Sequence, residues 1–410
     1  MKFTFIDKEN LCVYTDGAVQ KLDSEYAVQY RERTKRENRN KEWKKNSDAM
    51  MYDEFFPDND SVSVSITSIS PTLEDNKIIY SLSINETSGI YYKYTDDEKK
   101  TEAHFLSSNE VNYHQISVFG NNAILGTVQK DLLTMDLAVF SMQGGDYKTI
   151  TGGDSLDENP FLASNHEILY NSYGIGRNMN NEFVKYMPSE ILKLNTRTLE
   201  IETVLTSDQY SFVKPVLDSE GGLYCIRKPS EEKERSNVLL DILLIPVRIV
   251  QALIGFVSLF VRVFTGKPLM KGKGKTSNGA SAAKNPDEQT ITIHNYLLNV
   301  EKELKRNEKS GESGFIPHTW QLVKIPKTAG GDLFDNTYDK DKAEVLAKGV
   351  ADFCIADNTL IYTNGKRIFA IDFENGEIKK RKLLNTDFCI KLGAVYGQGK
   401  DNATDFFDMI

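Results

Sequence analysis

The chain has few of the residue types that most often build catalytic and metal sites. It contains five histidines in 410 residues, none of them in an HxxxH or HExxH arrangement. A phosphate-binding P-loop, a GxGxxG motif after a strand and a GxSxG nucleophile motif are all missing. The sequence therefore predicts no catalytic, cofactor-binding or metal-binding residues. We expect a protein that is not an enzyme and that takes no small-molecule substrate.

Cysteine is also scarce, and the balance of charge is acidic. The four cysteines lie far apart without a CxxC pair, which favours reduced thiols over a disulfide framework. The N-terminal segment MKFTFIDKEN lacks the basic-then-apolar order of a secretion signal. A net charge of −9 argues against a general nucleic-acid binder. These features predict a cytoplasmic protein with no nucleic-acid partner.

What the chain does contain is a repeat. Six segments share one order: an apolar strand, a polar turn with Asp, Asn or Gly, and a second strand ending in an aromatic or small residue. These segments are residues 3–14, 69–80, 116–126, 160–170, 215–224 and 352–362. A third strand of alternating polarity follows, and Asn375-Gly376 predicts a hairpin into a fourth strand. The repeating unit is thus a four-stranded antiparallel sheet.

The spacing of the units identifies the fold class. The second strands end at Tyr14, Tyr80, Gly126, Tyr170, Tyr224 and Tyr362. A four-stranded unit that recurs every ~40–50 residues is typical of a β-propeller. A two-sheet sandwich is the alternative, but it does not predict six copies of one unit. We expect an all-β, six-bladed β-propeller over residues 1–227 and 317–410, with segment 388–396 sharing a blade with the N-terminus because closure removes sheet edges.

Two long gaps between units predict insertions. The first, residues 24–60, reads as an exposed helix near the N-terminus. Residues 31–45 hold eight basic side chains against three glutamates, a net of +5. One interpretation is a solvated helix packed through Tyr26, Tyr30 and Trp43. The other is a basic patch that faces lipid headgroups or an acidic partner.

The second insertion, residues 228–316, lies between the second and third strands of the fifth blade. It contains the most apolar stretch of the chain, residues 238–264, followed by a Gly/Ser/Lys-rich linker and a short amphipathic piece at 293–305 that suggests a helix. As a helix, the 238–264 stretch has one narrow polar sector and is otherwise Ile, Leu, Val and Phe. Its longest charge-free segment is thirteen residues, fewer than the ~20 of a membrane span, and Pro246 interrupts it.

The placement of this insertion limits its topology. The strands before and after it must pair in one blade, so a single membrane crossing between them is excluded. A helix lying in the membrane interface remains, with an apolar contact surface formed by Ile242, Ile249, Leu253, Phe256, Val257, Phe260 and Phe264. The predicted contacts with anionic lipid are Arg248, Arg262, Lys267, Lys271, Lys273 and Lys275. Docking of the helix on a partner protein and folding back on the propeller are the alternatives.

Two acidic segments are candidate sites. Residues 332–341 have carboxylates at suggestive intervals but lack the glycine and terminal glutamate of a calcium loop, which favours a hairpin loop with solvated charges. Residues 153–160 (GDSLDENP) hold three carboxylates, and we expect an inter-blade turn there.

The repeats resemble those of TolB-like propellers. Segments GDSLDENPFLASNHEILYNS and YSFVKPVLDSEGGLYCIRK show the proline before a strand, the polar turn and the second strand of that family, whereas the usual tryptophan is replaced by Phe161 and Val216. The resemblance covers residues 66–227 and 350–384 and implies a six-bladed propeller that binds proteins.

Together these features predict a non-enzymatic propeller scaffold attached peripherally to the inner face of a membrane, or to a protein partner, through helix 238–264. A hydrolase with carboxylates at the central channel is the rival prediction. It would require acids and a histidine that converge on one face.

Overall fold

Short apolar segments separated by polar turns form the strands of six antiparallel sheets, which are the blades of a propeller. The protein is described by a computed structural model, which covers residues 1–48, 64–74, 76–95, 102–119, 124–141, 143–218, 220–230, 290–311, 313–327, 338–374 and 377–396. The all-β, six-bladed architecture predicted from the repeats is confirmed.

Blades 2 and 3 use four consecutive strands each, and blade 1 contains the first three strands of the chain. Blade 1 contains β1 (Lys2–Asp7), β2 (Asn10–Thr15) and β3 (Ala18–Leu22). Blade 2 contains β4 (Val64–Pro71), β5 (Lys77–Ile84), β6 (Thr87–Tyr94) and β7 (Ala103–Ser108). Blade 3 contains β8 (Asn112–Val118), β9 (Ile124–Gln129), β10 (Asp136–Phe140) and β11 (Tyr147–Thr149). In blades 2 and 3 the strand nearest the propeller centre comes first in the chain, and the order runs outward.

Blade 4 contains a fifth strand and blade 5 is interrupted by the second insertion, whereas blade 6 again has four consecutive strands. Blade 4 contains β12 (Ser155–Ser164), β13 (Glu167–Arg177), β15 (Glu190–Asn195) and β16 (Ile201–Leu205), and β14 (Phe183–Tyr186) extends β13. Blade 5 contains β17 (Tyr210–Leu217), β18 (Leu223–Pro229), β21 (Gln321–Ile325) and β22 (Glu344–Lys348). Blade 6 contains β23 (Asp352–Ala356), β24 (Thr359–Thr363), β25 (Gly365–Glu374) and β26 (Glu377–Cys389). A 3₁₀ turn at Lys340–Lys342 precedes β22.

The residues that mark the repeat in the sequence occupy equivalent places. Tyr80, Gly126, Tyr170, Tyr224 and Tyr362 lie in the second strand from the centre of blades 2 to 6, whereas Tyr14 lies in the third strand of blade 1 because the C-terminal strand takes the innermost place there. All six are buried, because the middle strands of a blade pack against both neighbouring blades. The paired ends of β25 and β26, Glu374 and Glu377, also confirm the hairpin that Asn375-Gly376 predicts.

The last strand closes the ring. β27 (Lys391–Gly393) pairs antiparallel with β1, in register Thr4 with Gly393, and so becomes the innermost strand of blade 1. Gly393 faces the carbonyl oxygen of Ile69 in β4, and a Cβ at this position would collide with it. The prediction that the two chain ends share a blade is confirmed, and β27 brings Lys391 to the centre of the propeller.

The first insertion begins with helix α1 (Glu25–Asp48), as the sequence predicts. Its N-terminus is fixed by a buried polar cluster: Ser24 Oγ accepts from the Ala27 N–H at 3.3 Å, and the Glu102 carboxylate accepts from the Glu25 N–H at 2.8 Å. Tyr26 adds an aromatic contact, with its ring 4.9 Å from that of Tyr91. The helix is therefore held at its start by blade 2.

The second insertion leaves blade 5 after β18 and returns before β21. These two strands pair directly, with Arg227 opposite Gln321, so the predicted position of the insertion within the blade is confirmed. The stretch 238–264 lies outside the described residues, as do all the membrane and lipid contacts predicted there.

The return segment differs from the prediction for residues 293–305. It forms a hairpin, β19 (Thr290–Ile293) and β20 (Tyr296–Asn299), and only then the helix α2 (Val300–Glu308). His294 and Asn295 form the turn with φ of +47° and +56°, values that asparagine tolerates better than most residues. Asn299 caps α2 by accepting from the Lys302 N–H at 2.8 Å. Of the helices in the described part of the chain, none is long and apolar enough to cross a membrane.

Candidate functional site

The innermost strands of all six blades line one central channel. Four of these strands, in blades 2 to 5, contain a β-bulge at the same level. The bulges include Thr67, Gln115, Asn159 and Lys214. A bulge adds one or more unpaired residues and re-aims the neighbouring side chains. Proline is tolerated in two of them, at Pro160 and Pro215, because a bulged residue donates no ladder hydrogen bond.

Most of the acidic segment 153–160 belongs to this channel. Gly153 and Asp154 lie in the bend between blades 3 and 4, but the prediction of an inter-blade turn is wrong for residues 155–160. Its residues from Ser155 onward form the start of β12, the innermost strand of blade 4. Asp157 and Glu158 are buried, at 3% and 9% exposure. Burial raises the pKa of both carboxyl groups. The cluster of acids that looks like a solvated turn in the sequence is in fact turned inward.

Asn171 on the second strand of blade 4 connects the bulges of blades 4 and 5. Its side-chain oxygen accepts from Asn159 Nδ2 at 2.8 Å and from the Lys214 N–H at 3.0 Å. Its Nδ2 donates to the Glu158 carboxylate at 3.5 Å. Asn171 is fully buried, so each bond replaces one that water would otherwise supply. The positive φ of Asn159 (+52°) and of Lys214 (+55°) is supported by these bonds.

One part of the channel is a narrow waist crossed by an ion pair. Lys214 Nζ lies 2.5 Å from Asp352 Oδ1, joining blade 5 to blade 6. The second oxygen of Asp352 accepts from the Leu392 N–H of β27 at 2.7 Å. The rings of Phe161 and Tyr396 also line the waist, with centroids 5.3 Å apart. The waist charges are thus satisfied by each other and by the closing strand.

The other part is a wider cavity of about 360 Å³, which we call the central chamber. This volume falls in the range of about 300–1,000 Å³ of small-molecule sites. Its apolar wall comes from Ile6, Val64, Ile66, Met135, Ile293, Phe388 and Ile390. Its polar lining includes Lys8, Glu9, Ser65, Thr67, His114, Gln115, Glu158, Thr292, His294, Asn295 and Lys391.

Charge in the chamber centres on Lys391. Its ammonium group acts electrostatically on Glu158, His114 and His294 together. Burial, assisted by the Lys391 charge, lowers the pKa of His114 and holds the pKa of His294 well below its ordinary value. Both imidazoles are therefore neutral at pH 7. Each already donates one hydrogen bond, from His114 Nε2 to Gln129 and from His294 Nε2 to the Ala351 carbonyl, both at 2.8 Å.

The hairpin β19–β20 forms one wall of the chamber and is held by several blades. The carbonyl of His294 accepts from Tyr173 Oη of blade 4 at 2.9 Å and from the Lys228 ammonium of blade 5. The His294 ring itself reaches Ala351 beside blade 6. Trp320, which is buried, packs edge-on against Tyr296 at 5.8 Å. The end of the blade 5 insertion is thereby built into the centre of the propeller.

The residues that form the chamber were missed by sequence reasoning, while the predicted contact residues in 242–275 lie outside the described part of the chain. The requirement stated for the rival hydrolase, acids and a histidine on one face, is partly met by Glu158, His114 and His294. One signal in the sequence could have pointed to the chamber. The prolines in the innermost strands of blades 4 and 5 mark bulges near the channel. Among the residues that the structure covers, no group of three or more His, Cys, Asp or Glu side chains is placed to hold a metal ion.

The four cysteines of the chain, Cys12, Cys225, Cys354 and Cys389, are all buried and free of disulfides. Burial raises the pKa of Cys12 to about 11 and of Cys354 to about 12. These thiols are protonated at neutral pH and serve as small apolar side chains in the blades.

Comparison with known proteins gives similarity of fold. No family model and no curated protein matches the sequence. Among solved structures, TolB from Acinetobacter baumannii has a TM-score of 0.44 at 9% identity, covering 96% of this chain and 65% of that one. The tricorn protease has a TM-score of 0.43 at 10% identity, covering 94% and 33%. Oligogalacturonate lyase from Vibrio parahaemolyticus has a TM-score of 0.37 at 10% identity, covering 92% of this chain and 73% of that one.

The chain therefore spans a third of the tricorn protease and about two thirds, 65%, of the TolB chain. TolB structures are among its structural neighbours, in keeping with the resemblance of the repeats, and the number of blades comes from the six sheets themselves. The chain has the architecture of a six-bladed β-propeller similar to TolB.

Proposed function

We propose that the protein is a non-enzymatic propeller scaffold that is attached peripherally to an anionic membrane surface by residues 238–264. The observation that carries the proposal is the direct pairing of β18 with β21 across the insertion. Because both strands belong to one blade, the insertion has to leave and return on the same side of any membrane. A segment that lies in the interface satisfies this condition, and a single crossing does not.

The composition of the insertion supports the lipid surface as the target. Six of its large apolar side chains would contribute about 1.5–3 kcal/mol each on full burial, and partial burial of all six would outweigh the ordering of one helix. They are Ile242, Ile249, Leu253, Phe256, Phe260 and Phe264. Arg248, Arg262 and the lysines that follow would add about 1 kcal/mol per charge near an anionic leaflet. The inner, cytoplasmic face of a membrane provides such a leaflet.

The basic helix α1 supports a second role, the recruitment of an acidic partner. Its start is anchored on blade 2, so the helix projects from a fixed point. Arg33 is paired with Glu37 at 2.9 Å, whereas Lys35, Arg36 and Arg39 are exposed. Exposed basic side chains on a rigid element steer acidic partners and lose that effect in salt.

The test is co-sedimentation with anionic liposomes. Phe256→Asp with Phe260→Asp should release the protein from the vesicles while its Tm stays nearly unchanged. A matched control, Leu132→Asp with Met179→Asp, places the same two charges on exposed apolar positions of the propeller and should leave binding intact. If the wild type stays in the supernatant at low salt, attachment to lipid is wrong, and a partner protein for the same segment takes its place.

The charge contribution can be measured separately. Changing Lys271, Lys273 and Lys275 to Gln should weaken binding at low salt only, because the Debye length shrinks to about 3 Å at 1 M. The control changes Lys309, Lys327 and Lys348, which are exposed lysines of the described propeller, and should have little effect. Equal losses in both variants would mean that net charge alone drives the association.

A hydrolase is the second candidate, because Glu158, His114 and His294 border one chamber. The hydrogen bonds of the described residues favour binding over turnover. None of these bonds joins Glu158 to either imidazole, and each Nε2 donates to an amide or carbonyl oxygen instead. We propose that the protein performs no hydrolysis. Hydrolytic turnover that is present in the wild type and lost in Glu158→Gln would contradict this.

A further inference from the structure

The central chamber contains a cation and an acid that do not satisfy each other. Among the described residues, no carboxylate lies within 4.0 Å of Lys391 Nζ, and no hydrogen bond from this ammonium is formed. Glu158 is 9% exposed, and within the part of the chain that the structure describes, the one hydrogen bond of its side chain is the 3.5 Å contact from Asn171. The two charged residues at the rim are already paired, Lys8 with Asp387 at 2.9 Å and Glu9 with Arg31 at 2.5 Å.

Glu158 is buried, and Lys391 is half-buried. Charged groups in such surroundings are expensive without partners, and they persist where a ligand or another role compensates for them. Lys391 is placed by β27, the strand that closes the propeller, and Glu158 by the bulged strand of blade 4. Both are therefore held on rigid elements and not on loops. A site built in this way keeps its geometry in the absence of a ligand.

The side chains that line the chamber limit which ligands it can bind. A single ammonium group matches a single negative charge, and a second negative charge would be repelled by Glu158 when ionised. His114 and His294 use only one ring nitrogen each in the hydrogen bonds described, and Thr67 and Ser65 add hydroxyl groups. These groups suit a ligand that carries hydroxyls next to its charge. The apolar side chains of Ile66, Ile293 and Ile390 limit its size and polarity.

We propose that the central chamber binds a small hydroxycarboxylic acid, with the carboxylate on Lys391 Nζ and a hydroxyl group on Glu158. The ligand lies under the hairpin β19–β20, whose residues Thr292 to Asn295 form part of the chamber wall. Occupation of the chamber therefore stabilises the hairpin, which is the return segment of the blade 5 insertion. This inference is independent of membrane attachment, because it uses only residues of the propeller and the hairpin.

The experiment is thermal denaturation in the presence of four probes: glycerate, malate, glycerol and inorganic phosphate. Glycerate and glycerol differ in the carboxylate, so they separate charge recognition from general polyol effects. Glycerate should give a saturable rise in Tm of at least about 2 °C. Malate should give a smaller rise, because Glu158 repels its second carboxylate. Glycerol and phosphate should give none at the same concentration.

Lys391→Met should abolish the rise, Lys391→Arg should retain part of it, and Lys348→Met, a change at an exposed lysine of blade 5, should leave it intact. The proposal is wrong if glycerate does not raise Tm, if malate raises it more than glycerate, if phosphate alone raises it, or if Lys391→Met responds like the wild type. If Lys391→Met does not melt cooperatively, hydrogen exchange of the wild type with and without the acid tests the proposal instead. Exchange at the amides of residues 292–296 must slow with the acid that binds, and unchanged exchange there overturns the proposal.

Discussion

In the waist of the channel the Lys214 ammonium lies 2.5 Å from Asp352, whereas in the chamber Lys391 and Glu158 line the same cavity without forming an ion pair. Both regions are built from the innermost strands of the blades, and in both a lysine lies near a buried acid. The difference lies in the closing strand: Leu392 donates its N–H to Asp352 and completes the waist, while Lys391 beside it lines the chamber. Paired charges hold blades together, and unpaired charges in a cavity are available for a ligand.

The largest expected effect comes from breaking the waist pair. Asp352→Ala leaves the Lys214 ammonium without its carboxylate and the Leu392 N–H without its acceptor, so unfolding should become easier by about 3–5 kcal/mol. Chemical denaturation measures this loss. Lys391→Met is the matched change in the chamber and should cost far less. Equal losses for the two variants would remove the distinction between waist and chamber.

The second prediction uses the neutral imidazoles of the chamber. Since the folded pKa values of His114 and His294 are lowered, the unfolded state binds more protons below the ordinary histidine pKa of about 6.5. Stability should therefore fall as the pH drops from 7 toward 5.5, by at most about 1.4 kcal/mol per pH unit for each histidine. The raised pKa values of Asp157 and Glu158 act in the opposite direction, because the folded state then holds the extra proton.

A variant isolates one histidine from these opposing contributions. His294→Asn keeps a residue that tolerates positive φ and removes the titrating ring, so its stability should fall less between pH 7 and 5.5. His104→Asn, at an exposed position in blade 2, should follow the wild-type profile. Denaturant unfolding at several pH values provides the comparison. A steeper pH dependence in His294→Asn than in the wild type would contradict the assignment.

The sequence predicts those parts of the structure that depend on residues close together in the chain. The second-strand tyrosines and the Asn375-Gly376 turn predict blades because strand alternation and turn chemistry act within about ten residues. Closure by residues 388–396 was also predictable, since a strand without a unit of its own needs a partner. The chamber was not, because Glu158, His294 and Lys391 converge from three distant segments.

Two segments show why local patterns also mislead. GDSLDENP has the composition of a turn, yet its residues from Ser155 onward enter a bulged inner strand whose hydrogen bonds come from Asn171 and Ser172. Residues 293–305 have helical periodicity, yet His294 and Asn295 adopt positive φ and turn a hairpin instead. In both cases tertiary contacts outweigh the local preference: bonds from β13 of the same blade in the first case, and the bond from Tyr173 to the His294 carbonyl in the second.

The third prediction tests how firmly the hairpin covers the chamber. Tyr173→Phe removes one donor to the His294 carbonyl and leaves the Lys228 ammonium in place, so the loss should be about 1 kcal/mol. Hydrogen exchange should accelerate at the amides of the hairpin more than in the blades. Tyr186→Phe, which loses a comparable bond to the Leu133 carbonyl, is the control. Uniform acceleration in both variants would mean that the hairpin is not a separate unit of stability.

The smallest effect is expected for charges in full contact with water. Arg33 and Glu37 form an exposed pair on α1, and Arg33→Gln should leave the free energy of unfolding unchanged within the error of the measurement. Denaturant unfolding at low salt checks this expectation. A loss comparable to that of Asp352→Ala would show that exposure does not separate structural from solvated charges in this protein.

The central claim, that the unpaired charges of the chamber bind a hydroxycarboxylic acid, is tested most directly by isothermal titration calorimetry with glycerate. The wild type should bind one glycerate per chain with measurable heat, and the affinity should fall at least tenfold in Lys391→Met and remain unchanged in Lys348→Met. Absence of binding to the wild type, or equal affinity in the wild type and Lys391→Met, would contradict the claim.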